Sequence, residues 1–309
     1  MTSMLLRQTR HNVVGLARTP VALFFALLFP LVFFVVLAGV FGNETIDARS
    51  GIRFAQFLAP AMASFGVAMA TFAFLAIGFA EIRFSGVLKR LQGTPVPTSV
   101  LLGGRVLAGG LAAIVSVTVL FVVAVVLYDV QIFWSRMPVA MATLVVAALS
   151  FSALGLALAA LAPSLQAATA LANGIVIPLA FISDMFLIAG AALPNWLEAL
   201  GWFFPLKHLV NAMADAFDPS ADSGADLTHM AVIAAWGVAG ALLFAWAVRR
   251  QPREPGASRS PEHGGAADAP GGETGDVPGV AVDDDLALVH GVSAAVLGVA
   301  VDGDAGVVH

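Results

Sequence analysis

The sequence predicts an all-α membrane protein with six transmembrane helices. Of its 309 residues, 59% are hydrophobic and only 11% are charged, whereas about a quarter of the residues of a soluble domain are charged. The charged residues leave five long uncharged runs, each reaching the roughly 20 residues with which a helix crosses a bilayer. The lipid bilayer is therefore the first partner expected for this chain.

The lengths of the uncharged runs place the individual spans. Four runs accommodate one span each, and the fifth, 137–183, is long enough at 47 residues for two. Pro163-Ser164 falls near its middle, which is typical of a tight turn between two helices. A signal peptide is the alternative for the first span. The apolar run of this span is longer, however, than the apolar region of a signal peptide, which has about 7–15 residues. The predicted spans are 20–41, 55–80, 100–127, 138–162, 166–190 and 228–249.

The basic residues predict the orientation, because loops that remain in the cytoplasm are enriched in Lys and Arg. If the N-terminus is inside, the inner segments hold ten of these residues and the outer loops hold four. Both termini and the segment Glu81–Pro97 are therefore expected in the cytoplasm. Abundant alanine, with arginine preferred over lysine, indicates a GC-rich coding sequence, so we expect a multi-pass protein of a bacterial cell membrane.

The segment between the fifth and sixth spans, 191–227, is predicted to lie outside, yet it is not simply polar. Apolar residues recur at helical spacing on both sides of Pro205. Trp196 and Trp202 are among them, and tryptophan prefers the interfacial region of a bilayer. We therefore expect two short helices that lie at the outer leaflet or dip into it. A seventh span is the alternative, but two charged residues interrupt the run.

The composition changes after Gln251. Residues 251–285 are rich in Pro, Gly, Ala and acidic residues, which is typical of a disordered segment. The apolar run that follows has only 16 residues and contains two glycines, so it is assigned to the tail, with a short extra span as the alternative. The predicted domains are a transmembrane domain, 1–250, and a disordered acidic tail, 251–309.

The second and third spans are connected by a basic amphipathic segment, EIRFSGVLKRLQGTPVP. Its apolar residues recur at i, i+3, i+4 and i+7, the spacing of one helix face, and the basic residues lie off that face. Gly93 and two prolines then end the predicted helix. Such a helix is expected to lie on a membrane surface or on a partner. The apolar residues are Phe84, Val87, Leu88 and Leu91.

Several classes of enzyme are excluded by the sequence. A P-loop needs a lysine directly after a glycine, and neither of the two lysines, Lys89 and Lys207, has one. No His-Glu-x-x-His pair is present, and the absence of cysteine excludes disulfides, thiol catalysis and Cys-bearing metal sites. We therefore predict no enzyme, no cofactor or metal bound by this chain, and no nucleic-acid partner. Any ATP must be hydrolysed by another subunit.

Asp184, in the outer half of the fifth predicted span, is the one clear candidate for a functional ionisable group inside the membrane. Charged groups inside a bilayer are costly and persist where they have a function. One interpretation places Asp184 at a hydrated outer vestibule, where it accepts hydrogen bonds from helix-terminal amides. The other makes it a contact for a substrate or coupling ion. The first is favoured, because one carboxylate is little support for ion-driven transport.

The order of these features resembles the permeases of type-2 ABC exporters, over about residues 5–250. That family has an amphipathic N-terminal helix in the cytoplasm, six spans and a basic first inner loop. The inner loop here is similar to the family's succession of acid, Arg, Gly, Lys-Arg-Leu and Thr-Pro. Gly103–Leu107 and the outer elements Leu193–Leu197 and Pro205-Leu206 resemble further family elements.

The resemblance implies that the inner loop is a coupling helix that docks on a separate ABC ATP-binding subunit, which uses ATP and Mg. It further implies a second permease protomer, identical or different, and an amphipathic substrate exported from the cytoplasm or inner leaflet, a drug or antibiotic before a lipid-linked glycan. For the basic residues, contact with lipid headgroups is the alternative. A non-ABC membrane protein, such as an ion-coupled carrier using Asp184, is the alternative function. The implied docking residues are Glu81, Arg83, Phe84, Gly86, Val87, Leu88, Lys89, Arg90, Leu91, Thr94 and Pro95.

Overall fold

The computed structural model describes residues 2–17, 24, 28–47, 52–86, 98–185, 194–219 and 227–250. This part of the chain is almost entirely α-helical, which confirms the predicted class. Its one β-ribbon pairs β1 (Thr45–Asp47) with β2 (Ile52–Arg53) in antiparallel register. The helices are α1 (Thr2–Ala17), α2 (Phe29–Phe41), α3 (Phe54–Ala68), α4 (Phe74–Phe84), α5 (Thr98–Tyr128), α6 (Met137–Leu161), α7 (Leu165–Ile182), α8 (Asn195–Phe203), α9 (Pro205–Phe217) and α10 (Leu227–Arg250).

Five helical segments of the described part are long and apolar enough to cross a bilayer, and they correspond to the second to sixth predicted spans. The first predicted span is represented by α2, a shorter apolar helix, while most of residues 20–27 lie outside the described part. The count of six spans therefore stays a prediction. The predicted tail, 251–309, also lies outside the described residues. The five segments are Phe54–Phe84, Val100–Tyr128, Met137–Leu161, Leu165–Ile182 and Leu227–Arg250.

The second span is the centre of the helix bundle. Of the residues in its most apolar stretch, 83% are buried inside the protein, against 17% for α10. The reason is that α2, α5, α6 and α9 all pack against it. Between α3 and α4 it contains a π-helical segment, Met69–Ala73. Such π segments are rare and often mark functional positions in a helix. Thr71 in this segment donates a hydrogen bond of 2.6 Å to the carbonyl of Val67.

Two glycines let neighbouring helices approach the backbone of the π segment. A Cβ atom on Gly109 of α5 would lie 3.1 Å from the carbonyl oxygen of Ala70. A Cβ atom on Gly155 of α6 would lie 2.5 Å from the carbonyl oxygen of Phe72. Side chains at these two positions would push α5 and α6 away from the central span, so the glycines set the spacing of the bundle.

Gln56, in the first turn of α3, is buried and joins three elements at the end of the bundle that is predicted to lie outside. Its amide nitrogen donates to the carbonyls of Gln131 (3.0 Å) and Phe217 (2.8 Å). Its amide oxygen accepts from the backbone N–H of Gln131 at 2.7 Å. One side chain therefore fixes the α5–α6 loop and the end of α9 to the central span.

We expect Gln56→Leu to destabilise the protein by about 1–3 kcal/mol, because leucine keeps the volume but leaves the buried Phe217 carbonyl without its donor. Gln131→Leu is the matched control, since the side chain of Gln131 is exposed and only its backbone binds Gln56. Thermal unfolding of the purified protein, followed by the fluorescence of its five tryptophans, measures both. Equal melting temperatures for the two variants would contradict the assignment.

Candidate functional site

The predicted coupling helix begins differently from the sequence-based expectation. α4 carries the second span on to Phe84, beyond the predicted end at residue 80, and Gly86 then adopts a left-handed φ of 72°. A glycine in this conformation just past a helix terminates it. The prediction of one apolar face running from Phe84 to Leu91 is therefore wrong at its start, because Phe84 belongs to the spanning helix. The remaining predicted docking residues, Val87, Leu88, Lys89, Arg90, Leu91, Thr94 and Pro95, lie outside the described residues.

Arg83 has partners within the chain. Its Nη1 donates hydrogen bonds to the carbonyls of Ala159 (2.9 Å) and Ala162 (2.8 Å) at the C-terminal end of α6. Its guanidinium also lies 4.8 Å from the ring centroid of Phe84. A cation is favoured at this position, since the last carbonyls of a helix lack intrahelical donors and carry partial negative charge. The resemblance implies that Arg83 docks on a partner subunit, which stays a prediction, and within the chain Arg83 caps a neighbouring helix.

The turn that Arg83 contacts is the predicted one. α6 ends at Leu161 and α7 begins at Leu165, which confirms a tight turn at Pro163-Ser164. Ser164 caps α7, since its hydroxyl oxygen accepts a hydrogen bond of 3.0 Å from the N–H of Ala167. We call Arg83 together with this turn, residues 162–164, the inner junction.

Arg105, near the start of α5, lies against α4 beside the inner junction. Its Nη1 occupies the space next to Gly78 that a larger side chain would fill. The exposed carboxylate of Glu81, one turn further along α4, attracts it electrostatically. At the preceding position, Gly104 lets α5 pack against Gln8 of α1. A helix is thus present at the predicted N-terminal position, and its amphipathic placement on the membrane stays a prediction.

At the end of the bundle that is predicted to lie outside, two short helices occupy the segment before the last span. α8 ends at Phe203 and α9 begins at Pro205, which confirms the expectation of two helices around Pro205. Their depth in a bilayer stays a prediction. α9 packs against α3, α6, α7 and α10, and it is therefore an integral part of the bundle.

Asp184 forms an ion pair that the sequence analysis missed. Its Oδ2 lies 2.9 Å from Nζ of Lys207 on α9, where the lysine side chain is 2% exposed and the aspartate 31%. The two groups meet without the angles of an aligned hydrogen bond, so charge holds the pair together. Asp184 follows α7 and has a left-handed φ of 59°, which Asp and Asn tolerate better than other non-glycine residues. The sequence did contain a signal for this pair, namely one isolated acid, Asp184, and one isolated base, Lys207, each surrounded by apolar residues.

Two buried histidines extend this pair to the last span. Nδ1 of His208 on α9 lies 2.9 Å from Nδ1 of His229 on α10, and Nε2 of His208 lies 2.9 Å from the carbonyl oxygen of Trp202. A carbonyl only accepts, so Nε2 of His208 carries a proton; in neutral His208 the Nδ1 then accepts from His229. The Trp202 ring lies next to both imidazoles and 5.6 Å from the ammonium of Lys207. We call Asp184, Trp202, Lys207, His208 and His229 the outer cluster.

Both sites connect helices. The inner junction holds the end of the second span to the turn between the fourth and fifth spans, and the outer cluster joins α7, α8, α9 and α10. Across the described ranges, no group of three or more His, Asp or Glu side chains is placed to hold a metal ion. The two sites therefore hold helix ends together at two places in the bundle.

Comparison with known proteins agrees with this architecture. The sequence model of the family described as ABC-2 type transporter matches residues 5–217, from α1 to the end of α9. The protein named Inner membrane transport permease YadH is a relative in Escherichia coli (strain K12), Escherichia coli O157:H7 and Shigella flexneri. Each is 25% identical over 185 residues, which cover 60% of this chain and 71% of the relative. Because the family match spans more than half of the chain, the protein belongs to the ABC-2 type transporter family.

Proposed function

We propose that this chain is the permease subunit of an ABC exporter and moves an amphipathic substrate outwards with ATP that a separate subunit hydrolyses. The family match over residues 5–217 carries the proposal. It is supported by the relatives named as transport permeases and by the sequence, which has no lysine after a glycine and hence no P-loop. The chain would work in the cell membrane with both termini in the cytoplasm.

The central span supports coupling through the inner loop. The helical segment Phe54–Phe84, with its π segment, is 31 residues long, which corresponds to roughly 45 Å at the α-helical rise of about 1.5 Å per residue. A subunit that binds residues 87–97 would therefore act directly on a helix that reaches the outer side of the bundle. The basic residues for binding are Lys89 and Arg90, because Arg83 is already engaged with α6.

A second protomer is part of the proposal. Six spans form only one side of a pathway, and α7 and α10 are 22% and 17% buried over their most apolar stretches, so they present broad apolar faces to lipid or to another subunit. The short loops resemble drug-efflux members and favour a drug or antibiotic over a lipid-linked glycan. The ion-coupled alternative loses its main support, because Asp184 is neutralised by Lys207.

The test is co-purification with an ABC ATPase, and the first to try is one encoded by a neighbouring reading frame, where there is one. Lys89→Glu combined with Arg90→Glu should abolish both co-purification and the stimulation of ATP hydrolysis by the permease, because reversed charges repel the acidic surface that we expect on the partner. Membrane insertion should be unchanged. Arg83 stays intact, since its reversal would also disrupt the end of α6.

The matched control is Arg249→Glu with Arg250→Glu at the inner end of α10. It makes the same change of charge on the same side of the membrane and should leave the complex intact. Survival of the complex in the Lys89–Arg90 variant, or its equal loss in the control, would contradict docking through the inner loop.

A further inference from the structure

The inner junction contains an acceptor that the sequence leaves without a backbone donor. In a continuing α-helix the carbonyl of Ala159 would accept from the N–H of the residue four positions later. That residue is Pro163, which has no N–H. Ala159 is fully buried and Ala162 nearly so, so water does not substitute freely. The guanidinium of Arg83 supplies the missing donor to Ala159 and contacts the carbonyl of Ala162 as well.

These bonds connect three spans at one point. Arg83 stands one residue before the end of α4. Its first acceptor, Ala159, lies in the last turn of α6, and its second, Ala162, lies just after α6 and three residues before α7 begins. Hydrogen bonds from a charged donor are stronger than those between neutral groups. Two such bonds hold the 162–164 turn beside the end of α4.

The position of Gly86 separates this connection from the loop beyond it. Arg83 lies within the last turn of α4, whereas Gly86 has left the helix with a φ of 72°. Because residues 87–97 follow α4 in the chain, their displacement acts first on the end of α4. The hydrogen bonds of Arg83 connect that end to the α6–α7 turn.

We propose that Arg83 is a positioning residue that couples the inner loop to the fourth and fifth spans. By holding the 162–164 turn to the end of α4, it makes both follow the loop as one body when the ATPase subunit closes. Loop movement then acts on three spans rather than one. This inference rests on the proposed function, since it requires an ATPase that moves the loop.

The absence of cysteine allows a direct measurement in the complex of the chain with its ATPase. Ser85→Cys and Gln166→Cys place spin labels at two exposed positions, one at the end of α4 and one in the first turn of α7. With Arg83 present, the distance between the labels should be narrow and the same without nucleotide and after trapping with ATP, Mg²⁺ and vanadate. With Arg83→Met the distribution should broaden and shift on trapping, while Arg83→Lys, which retains the charge and the donors, should restore most of the narrow distance.

A second variant separates coupling from simple capping. Pro163→Ala returns an N–H to position 163. This N–H reaches the Ala159 carbonyl once Ala162 leaves its extended conformation (ψ 136°), and Ala159 then no longer depends on Arg83 for its donor. In the Arg83→Met, Pro163→Ala double variant the protein should regain the stability lost in Arg83→Met, yet the label distance should still shift on trapping. The single variant Pro163→Ala, with Arg83 intact, should behave like the unmodified chain.

Three results would overturn the inference. One is a label distance that changes on trapping while Arg83 is present, because the turn would then not follow α4. Another is an unchanged distance in the double variant, which would make Arg83 a helix cap only. The third is loss of the complex in Arg83→Met, which would make Arg83 a docking residue. Failure of the proposed function is distinct, since the unmodified chain would then bind no ATPase and trap no nucleotide.

Discussion

Asp184→Asn should destabilise the protein more than Lys207→Met, although both substitutions break the same ion pair. The difference follows from burial, because the lysine side chain is 2% exposed and the aspartate 31%. Asp184→Asn leaves a buried ammonium without its counter-charge, for which a loss of about 3–5 kcal/mol is typical. Lys207→Met leaves a carboxylate that can still reach water, so its cost should be smaller.

The choice of asparagine isolates the charge. Asp184 has a left-handed backbone, and Asn accepts this conformation about as readily as Asp, so the substitution adds little backbone strain. The double variant Asp184→Asn, Lys207→Met should recover much of the loss, since a neutral pair of similar size often replaces a buried ion pair at little cost.

Thermal unfolding of the purified protein measures all three variants. The expected order of melting temperatures is unmodified chain, double variant or Lys207→Met, and Asp184→Asn last. A double variant as unstable as Asp184→Asn would show that the two charges do not compensate each other. Equal losses of melting temperature in the two single variants would show that contact with water does not stabilise the unpaired carboxylate of Asp184.

The span positions could be predicted from the sequence because a bilayer restricts the backbone to helices whose hydrogen bonds are internal. The uncharged runs therefore located the second to sixth spans, and turn residues located the Pro163-Ser164 turn. Pro205 and the surrounding apolar spacing identified α8 and α9 in the same way. Each of these signals is local, so no knowledge of helix packing was required.

The pairing of distant side chains was not predictable in this way. Asp184 and Lys207 are both visible as isolated charges, but their contact depends on α7 and α9 being neighbours. Arg83 was assigned to a partner subunit because its acceptors are backbone carbonyls, which the sequence does not distinguish. Periodicity also failed at Gly86, since the spacing of Phe84, Val87 and Leu91 is the same whether or not a left-handed residue ends the helix between them.

The close helix contacts at glycines could not be predicted from the sequence because of its composition. The chain contains 30 glycines, so pairs of small residues at helical spacing arise by chance and say little about packing. The structure separates the glycines by what surrounds them. Gly174 of α7 has no atom within 4 Å of its missing Cβ, whereas Gly155 of α6 meets the backbone of the π segment.

Gly155→Ala should destabilise the protein by about 3 kcal/mol, the upper end of the range for overpacking, even though alanine favours helices over glycine by about 1 kcal/mol. The new Cβ would lie 2.5 Å from the carbonyl oxygen of Phe72 and 3.2 Å from its Cα. These are backbone atoms, which cannot rotate aside as a flexible side chain can, so α6 must move away from the central span.

Gly174→Ala is the matched control, because it makes the same change in a helix where the added methyl group has open space. Helix propensity then acts alone, and the melting temperature should rise or stay unchanged. Opposite shifts for the two variants are therefore expected in the same thermal assay. If both variants were stabilised, α6 would not be in backbone contact with the π segment.

The inner junction also connects α6 with the second span. Gly155→Ala should therefore weaken the hydrogen bonds of Arg83 to the end of α6, and the distance between labels at positions 85 and 166 should lengthen along with the loss of stability.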